Sequence, residues 1–362
     1  MSKILTVVGA RPQFIKAAAL SRALRNSRLE EVLVHTGQHF DKNMAEIFFN
    51  QMEIPLPKYN LGIHSLSHGA MTGRMLEAIE GVILQEKPSV VVVFGDTNST
   101  VAGALAASKL HVPVAHVEAG LRSFNMRMPE EVNRILTDRI SDFLFVPTEA
   151  AAKNLLNEGF GNFNARIENT GDVMYDVALY YSKISAGRSS ILNDRPDKKS
   201  IILTTIHRQE NTDDIQRLTS ILDALNELSA EFQIVLPLHP RTRNILKQQN
   251  IKLKFKPVDP VGYFDIIELL KACSFVVTDS GGLQKESYFF KKQCLVIRDE
   301  TEWTELVELG YNHLVGSDRQ LILEKAGEVK NAKPSFKEKP YGDGNAAGKI
   351  VTSLTNLLSQ KI

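Results

Sequence analysis

Short apolar runs alternate with longer amphipathic stretches along most of the 362-residue chain. In its first half, the apolar runs predict strands at Ile4–Val8, Val32–His35, Val90–Phe94, Val114–Val117 and Phe143–Val146. The stretches that follow them predict helices at Pro12–Arg25, Asn43–Gln51, Thr97–Lys109, Glu130–Ile140 and Ala150–Glu158. Apolar strands with helices between them are typical of a parallel sheet that is covered on both faces. Such a sheet binds its ligand at the carboxyl ends of the strands.

A polar stretch of mixed charge at Ser182–Ser200 interrupts this pattern and predicts a boundary region. A second series of strands follows at Ile201–Thr205, Gln233–Leu236, Leu253–Phe255, Phe275–Thr278 and Cys294–Ile297. The helices of this series are predicted at Asp214–Leu228, Arg241–Gln249, Tyr263–Ala272 and Gly282–Phe290. A last helix near Ala346–Leu358 is expected to return to the first domain. We therefore predict two Rossmann-like α/β domains, residues 1–175 with 345–362 and residues 176–344, with a ligand cleft between them.

Charge and cysteine content narrow the classes of protein. The 43 basic residues nearly balance the 42 acidic ones, for a net charge of +1, which argues against a nucleic-acid partner. Cys273 and Cys294 lie in apolar segments without metal-ligand spacing, so we expect two buried thiols in a reducing compartment. The chain has no apolar run of about 18 residues and no signal-peptide pattern. We expect a cytoplasmic protein with no membrane partner.

The first candidate for ligand binding is the segment Gly9-Ala10-Arg11-Pro12, which follows a strand and opens a helix. Free N–H groups at a helix N-terminus bind anions, and the guanidinium of Arg11 is suited to phosphate. Lys16 lies one turn further along. A tight turn with two exposed cations remains an equal alternative. The segment lacks the G-x-G-x-x-G fingerprint, which weakens a nicotinamide interpretation.

The second candidate is Asp279-Ser280-Gly281-Gly282, between a strand and a helix. The glycines Gly281 and Gly282 let the backbone approach a ligand closely, and Ser280 can hold a phosphate together with the free N–H groups. Glu286, further along the helix, could accept hydrogen bonds from ribose hydroxyls. A simple helix cap by Ser280 is the alternative. The paired glycines favour a binding site.

Carboxylates form the third group. Asp96 ends one apolar strand and Glu118 ends the next, so we expect them to be neighbours at the ligand edge of the sheet. Glu131 follows in Pro129-Glu130-Glu131. Adjacent carboxylates in a partly buried cleft shift each other's pKa values apart, which suits one to act as an acid and the other as a base. Any one of them alone could be an ordinary helix cap.

Histidines and arginines follow the strands of the second domain. His207 and Arg208 come directly after its first strand, and His239 and Arg241 end the next. A lone histidine is usually structural or exposed, but the position of His207 beside an arginine favours a site. If the two sheets face one cleft, its cations are sufficient to bind a diphosphate without a metal ion, namely Arg11, Lys16, Arg208 and Arg241.

Across essentially the whole chain, these residues resemble the non-hydrolysing UDP-N-acetylglucosamine 2-epimerases. The shared motifs are Gly9-Ala10-Arg11-Pro12, Gly95-Asp96-Thr97, His116-Val117-Glu118-Ala119-Gly120-Leu121-Arg122, Pro129-Glu130-Glu131-Val132-Asn133-Arg134, His207-Arg208-Gln209-Glu210-Asn211 and Asp279-Ser280-Gly281-Gly282-Leu283-Gln284-Lys285-Glu286. Several long motifs in the right order are far more specific than one short pattern. The resemblance implies two facing domains of the glycosyltransferase-B type in a homodimer that needs no metal ion, nicotinamide or other cofactor.

The resemblance also implies a mechanism and residue roles. A base removes the proton at sugar C2 while UDP departs, which leaves a glycal, and protonation from the other face with return of UDP gives the epimer. The catalytic residues implied are Asp96, Glu118, Glu131 and His207. The UDP-sugar would be held by Arg11, Lys16, Ser280, Gly281, Gly282 and Glu286, to which the strand-end positions add Arg208, His239 and Arg241. Which carboxylate serves as acid stays open.

The segment Thr301–Glu305 bears on the choice of sugar. It contains Trp303 and Thr304 where many family members have arginine and proline. With the other motifs, it resembles the branch acting on UDP-2,3-diacetamido-2,3-dideoxy-glucuronate, whose manno product is used in bacterial surface polysaccharide. The C6 carboxylate of that sugar would need a further cation, from Arg127 or Arg241. UDP-N-acetylglucosamine is the alternative substrate.

Other functions compete with this interpretation. A glycosyltransferase of the same fold would need an acceptor-binding surface, and none stands out in the sequence. A hydrolysing epimerase would release free sugar from the same elimination. A non-catalytic nucleotide-sugar sensor would have no use for Asp96, Glu118 and His207 in one site.

Overall fold

The computed structural model describes residues 2–38, 54–193, 199–238 and 240–359, without the side chains of Arg11, Pro240 and Arg241. The predicted helix Asn43–Gln51 therefore lies outside the described residues. Contacts divide the chain into two compact units. Unit 1 comprises Met1–Val177 and Lys339–Ile362, and unit 2 comprises Ala178–Glu338.

The described part of unit 1 contains a parallel sheet of seven strands. They are Ser2–Val8 (β1), Leu29–His35 (β2), Tyr59–Asn60 (β3), Val90–Phe94 (β4), Val114–Val117 (β5), Phe143–Val146 (β6) and Arg166–Asn169 (β7). Their order across the sheet is β3-β2-β1-β4-β5-β6-β7. All five residues of β4 are buried, as expected for a strand covered on both faces. The strands predicted from apolar runs are confirmed, whereas the short β3 and the polar β7 carry no such signal.

Helices flank this sheet. They are Arg11–Arg25 (α1), His68–Glu86 (α2), Asn98–Lys109 (α3), Pro129–Arg139 (α4), Glu149–Asn157 (α5) and Val173–Ser182 (α6), of which α6 extends past Val177 into unit 2. The sequence analysis did not predict α2. Its glycines disfavour a helix, but Met75, Ile79, Val82 and Ile83 form a buried stripe with helical spacing. Burial of this stripe against the sheet outweighs the low intrinsic propensity.

The end of α2 is anchored by the buried carboxylate of Glu86. It accepts hydrogen bonds from Lys3 Nζ at 2.9 Å and Tyr59 Oη at 2.5 Å, and it pairs with Lys58 Nζ at 2.6 Å. Hydrogen bonds from Lys58, Tyr59 and Lys3 lower the pKa of Glu86 to about 2. The charge of Glu86 thus ties α2 to β1 and β3.

The described part of unit 2 contains a second parallel sheet. Its strands are Ile201–Thr205 (β8), Gln233–Val235 (β9), Cys273–Thr278 (β10), Cys294–Val296 (β11) and Asn312–Leu314 (β12). Their order is β12-β11-β10-β8-β9. Cys273 and Cys294 are free and buried, as predicted. The two parallel sheets confirm the predicted α/β fold class.

The predicted strand Leu253–Phe255 is wrong. These residues form no strand, and Val258 instead makes an isolated parallel bridge with Pro237. The side chain of Asn226 hydrogen-bonds the local backbone groups in place of a neighbouring strand. Its Nδ2 donates to Lys252 O at 3.1 Å and its Oδ1 accepts from Lys254 N at 2.7 Å. Leu253 and Phe255 still pack against the core, so the apolar alternation reflects burial without strand pairing.

The helices of unit 2 begin at the carboxyl ends of its strands or cover its faces. They are Gln209–Thr212 (α7), Ile215–Leu228 (α8), Pro240–Gln248 (α9), Tyr263–Ala272 (α10), Gly281–Phe289 (α11), Thr304–Glu308 (α12) and Arg319–Asn331 (α13). Helix α8 buries Leu218, Ile221, Leu222 and Leu225 in the core on one side of the sheet. The predicted helices agree with α8 to α11 within one residue at each end, and α12 and α13 were not predicted.

The last helix, Ala346–Ser359 (α14), packs within unit 1 against α1. The carboxylate of Asp176 accepts hydrogen bonds from Ala346 N at 3.0 Å and Ala347 N at 2.7 Å, which satisfies N–H groups at the start of the helix. Ser353 Oγ donates to Glu168 Oε1 at 2.7 Å. Helices in the described ranges lack the combination of length and apolar character that a membrane span requires.

The anchoring role of Glu86 predicts a pH-dependent stability difference. A carboxylate whose pKa is lowered on folding stabilises the protein above its unfolded pKa, and this contribution is lost as pH falls toward the folded pKa. Glu86→Gln should therefore lower the Tm by a few degrees near neutral pH. The difference from wild type should shrink as pH falls from the ordinary value of 4.5 toward about 2.

Glu77→Gln, at an exposed position of α2, is the matched control and should leave the Tm unchanged. Thermal unfolding of the three proteins, followed by circular dichroism across this pH range, makes the comparison. A Tm difference for Glu86→Gln that does not vary with pH would contradict the anchoring role.

Candidate active site

Two carboxylates stand at the ends of neighbouring strands in unit 1. Phe94 of β4 lies opposite Val117 of β5, so the residues that follow, Asp96 and Glu118, come to the same edge of the sheet. Glu118 has a φ of 71°, in the left-handed region that non-glycine residues rarely adopt. Such a conformation costs about 1–3 kcal/mol and persists only where the surrounding structure holds it, as in many active sites.

A buried lysine compensates the charge of Glu118. Lys16 of α1 forms an ion pair with the Glu118 carboxylate, and both residues are buried. A Cβ on Gly95 would lie 3.3 Å from Glu118 Oε2 and 3.4 Å from Lys16 Nζ, and Gly95 has a φ of 63°. Glycine at this position therefore permits both the turn and the close approach of the ion pair to the residue before Asp96.

Asp96 is held by an arginine on another helix. Arg134 of α4 forms an ion pair with Asp96. Burial raises the pKa of Asp96, Arg134 and Lys16 oppose this effect, and the net pKa lies above the ordinary value of 3.8. The side chain of Asp96 remains 32 % exposed. A reachable carboxyl group with a raised pKa is suited to proton transfer.

Glu131 lies fully buried in the first turn of α4. Its carboxylate accepts hydrogen bonds from Ser123 N at 3.0 Å and Phe124 N at 2.8 Å, and it also pairs with Arg134. The structure therefore connects Glu131 to Asp96 through Arg134. Through these contacts Glu131 holds the loop at residues 123–124. Its role in catalysis stays a prediction.

The amide of Gln13 fixes the beginning of α1 against the same edge. Its Oε1 accepts from Gly9 N at 2.7 Å and Ala10 N at 3.0 Å, and its Nε2 donates to Phe94 O at 2.8 Å. The Gly9-Ala10-Arg11-Pro12 turn thus lies next to the end of β4. Arg11 begins α1, but its side chain is outside the described part of the structure.

A buried network that sequence reasoning missed lies behind the two carboxylates. His116 of β5 hydrogen-bonds Asp138 of α4 on one side and the carbonyl of Gly95 on the other, while Arg122 pairs with Asp138 and Glu158. His116 belongs to a motif that the sequence analysis singled out, but nothing in the sequence pairs it with Asp138. That pairing depends on how α4 packs on the sheet.

In unit 2, a buried aspartate organises the turn after β8. Asp279 accepts hydrogen bonds from His207 N and Arg208 N, each at 3.0 Å, and its Oδ1 lies 3.0 Å from His207 Nδ1. Burial alone would raise the pKa of Asp279, but the contacts with His207 lower it. The ring of His207 is oriented by this carboxylate and remains half exposed.

The Ser280-Gly281-Gly282 turn begins α11 in the same unit. Ser280 is the N-cap and its Oγ accepts from Leu283 N at 3.4 Å, which leaves other first-turn N–H groups for a ligand. A Cβ on Gly281 would lie 2.2 Å from Glu302 Oε1, so a larger residue here would displace the Glu302 carboxylate. Glu302 lies 3.9 Å from Arg208, which brings Arg208 to this turn. Glu286 is half-buried on α11.

The remaining predicted binding residues fall outside what the structure describes. His239 is not among the described residues, and Arg241 lies in α9 without a described side chain. Among the described residues, no group of three or more histidine, cysteine, aspartate or glutamate side chains is placed to hold a metal ion.

Comparison with known proteins places this arrangement in a family. The family model described as UDP-N-acetylglucosamine 2-epimerase matches residues 22–355. A UDP-2,3-diacetamido-2,3-dideoxy-D-glucuronate 2-epimerase of Pseudomonas aeruginosa is 55% identical over 98% of this chain and 100% of its own length. A UDP-N-acetylglucosamine 2-epimerase of Methanocaldococcus jannaschii is 43% identical over 98% of this chain and 99% of its own length.

Solved structures agree with the sequence comparison. The M. jannaschii UDP-GlcNAc 2-epimerase in complex with UDP-GlcNAc and UDP superposes with a TM-score of 0.87 at 42% identity, over 98% of this chain and 99% of that one. The Neisseria meningitidis enzyme bound to UDP-GlcNAc has a TM-score of 0.87 at 33% identity, over 98% and 100%. The resemblance found in the sequence is confirmed, and the chain belongs to the UDP-N-acetylglucosamine 2-epimerase family of non-hydrolysing UDP-sugar 2-epimerases, which are isomerases.

Proposed function

We propose that this enzyme interconverts the C2 epimers of UDP-2,3-diacetamido-2,3-dideoxy-glucuronate, from gluco to manno. The observation that carries the proposal is the pair of carboxylates Asp96 and Glu118 at adjacent strand ends, each with its own cation. The choice of sugar is supported by the 55% identity to the P. aeruginosa relative of that name. UDP-N-acetylglucosamine is the alternative substrate, supported by the name of the 43% identical M. jannaschii relative.

The reaction is an elimination followed by an addition. A base takes the C2 proton, the C1–C2 double bond forms from that electron pair, and the C1–O bond breaks with its electrons leaving on UDP. The resulting glycal is then protonated at C2 from the opposite face, and a phosphate oxygen of UDP returns to C1. No net oxidation occurs, and the proton removed from one face is balanced by the proton added to the other.

The environments of the two carboxylates suit them to this exchange. The raised pKa of Asp96 favours its protonated form, because burial and the neighbouring Glu118 disfavour a second negative charge. Glu118 instead has the ammonium group of Lys16 beside it. Two neighbouring carboxyl groups in different electrostatic environments can provide one acid and one base, and their roles reverse with the direction of the reaction.

His207 adds a third proton-handling group to the proposal. Asp279 binds its Nδ1, which leaves Nε2 on the other side of a half-exposed ring for the substrate. In enzymes, a carboxylate beside one ring nitrogen orients the histidine and fixes which nitrogen faces the substrate. We propose that His207 acts near the oxygen atoms of the departing diphosphate.

The UDP moiety is assigned to the turn at the start of α11. Free N–H groups near Gly281 and Gly282 suit the phosphates, with Arg208 as a nearby cation. Glu286 is proposed to bind the ribose. Lys16, Arg11, His239 and Arg241 stay in the proposed substrate site as cationic or polar partners. The charge that these groups supply stabilises UDP as a leaving group, which an unactivated C2 proton requires.

The sugar itself would carry a carboxylate at C6. Arg127 is exposed in the loop that Glu131 anchors, and it or Arg241 would supply the cation for this group. We further propose that the enzyme works as a cytoplasmic homodimer and that its product serves bacterial surface polysaccharide such as lipopolysaccharide. No cofactor, membrane or nucleic-acid partner enters this proposal.

Incubation with UDP-sugars in D2O tests the proposed reaction. UDP-2,3-diacetamido-2,3-dideoxy-glucuronate and UDP-N-acetylglucosamine are supplied separately, and C2 deuterium and product configuration are followed by NMR. We expect deuterium at C2 and a gluco/manno mixture, with the higher kcat/KM for the diacetamido acid. Net release of free sugar, sugar transfer, or binding without exchange would contradict epimerisation. A higher kcat/KM for UDP-N-acetylglucosamine would reject only the choice of sugar.

Asp96→Asn separates proton transfer from binding. The amide keeps the shape of Asp96 but provides no acid or base, so C2 exchange should fall by about 10²–10⁴-fold. The Kd for UDP, measured by calorimetry, should stay within about threefold because Asp96 is not among the groups proposed to bind UDP. Asp223→Asn, at an exposed position of α8, is the control. A large loss of UDP affinity with exchange retained would move Asp96 from catalysis to binding.

A further inference from the structure

His116 makes two hydrogen bonds from a fully buried position in β5. Its Nδ1 lies 2.6 Å from Asp138 Oδ1, and its Nε2 lies 2.7 Å from the carbonyl oxygen of Gly95. Both partners are acceptors, so both bonds form together only when each ring nitrogen carries a proton. His116 therefore connects Asp138 to the backbone of the residue directly before Asp96.

The second oxygen of Asp138 reaches the other strand end. Oδ2 accepts from Gly120 N at 3.1 Å and from Arg122 Nη1 at 2.7 Å. Burial alone would raise the pKa of Asp138, but His116 and Arg122 hold it below its usual value. Asp138 thus remains a carboxylate that can accept from all three donors at once.

The two backbone turns that Asp138 holds carry the proposed acid–base pair. Gly95 has a φ of 63° and precedes Asp96, while Gly120 has a φ of 77° and follows Glu118 by two residues. Glu118 itself has a φ of 71°. Because the left-handed backbone at Glu118 is unfavourable, it needs surrounding contacts to maintain it, and the bond from Gly120 N to Asp138 is one of them.

We propose that Asp138 is a positioning residue. Its one carboxylate holds the backbone turns next to Asp96 and Glu118 and thereby fixes the positions of these two side chains relative to each other. The inference rests on the proposed function, because it concerns the geometry of that acid–base pair. Asp138 and His116 are fully buried and act through the backbone without touching the substrate. Small displacements of catalytic groups, about 1 Å, reduce rates by about 10²-fold.

The first test compares Asp138→Asn with Glu158→Gln. An amide at position 138 cannot accept from His116, Arg122 and Gly120 as the carboxylate does. We expect kcat to fall about 10²-fold with KM within about threefold, since the described hydrogen bonds of Asp138 reach His116, Gly120 and Arg122 and no residue proposed to bind UDP. Glu158→Gln weakens the far end of the same network, at Arg122, and should leave kcat near that of wild type. Equal kcat values for the two variants would overturn the proposal.

A double variant separates positioning from stability. In His116→Gln/Asp138→Asn, the amide introduced at 116 can donate to Gly95 O and accept from the amide introduced at 138, which restores a neutral chain of hydrogen bonds. We expect at least about tenfold recovery of kcat relative to Asp138→Asn. Recovery of Tm without recovery of kcat would contradict positioning. If Asp138→Asn does not fold, the double variant is compared with wild type instead. A folded double variant with a kcat more than about 10²-fold below that of wild type then contradicts positioning.

Hydrogen–deuterium exchange gives a readout that does not depend on the identity of the substrate. Asp138→Asn should speed exchange in the segments 95–98 and 118–121. If this variant does not fold, a second double variant, His116→Leu/Asp138→Asn, takes its place with the same expected result. Glu158→Gln should not speed exchange in either segment. Unchanged exchange in both segments would overturn the positioning role. A wild-type enzyme inactive on every UDP-sugar would instead contradict the proposed function.

Discussion

Charge compensation of two carboxylates at adjacent strand ends, of which Glu118 is buried and Asp96 partly exposed, governs the arrangement of unit 1. Asp96 pairs with Arg134 of α4, and Glu118 pairs with Lys16 of α1. Lys16 and Glu118 form a buried pair, and removing one partner of such a pair typically costs about 3–5 kcal/mol because the other charge is left buried and uncompensated. The helices α1 and α4 must therefore present their cations at this edge, which couples the packing of the sheet to the geometry of the site.

Unit 2 uses a buried carboxylate in a different way. Asp279 binds two backbone N–H groups and the ring of His207, so it shapes the turn that carries the polar side chains. The start of α11 then supplies backbone donors next to Arg208. Unit 1 thus provides the proposed acid–base groups, whereas unit 2 provides groups suited to a diphosphate, and the proposed elimination of UDP requires both kinds of chemistry.

The sequence predicts those features that local pattern determines. Apolar runs such as Val90–Phe94 identify the strands, and the polar residues after them identify the candidate site, because parallel strands end at a common edge. The glycine-containing helix α2 escaped prediction because its burial outweighs its low propensity. The strand predicted at Leu253–Phe255 was wrong because the side chain of Asn226 binds the neighbouring backbone groups.

The features of the candidate site that the sequence did not predict are contacts between residues distant in the sequence. Asp138 lies on α4, whose sequence predicts only an amphipathic helix. Its contacts with His116 and Gly120 arise from the packing of this helix on the sheet. Glu131 was predicted as a catalytic residue from its motif, and that role stays a prediction, while its contacts with Ser123 and Phe124 show a structural role. The motifs thus identified candidate site residues, and only the structure showed which residues hold other residues of the site in place.

The central claim is that Asp96 and Glu118 form an electrostatically coupled pair. Titration of Asp96 by NMR, with 13C at the aspartate carboxyls and assignment through Asp96→Asn, measures this coupling most directly. In the wild-type enzyme, we expect the pKa of Asp96 to lie above the ordinary value of 3.8. In Glu118→Gln it should fall, because the negative charge of Glu118 raises it. A pKa of Asp96 at or below the ordinary value in wild type, or no change in Glu118→Gln, would contradict the account.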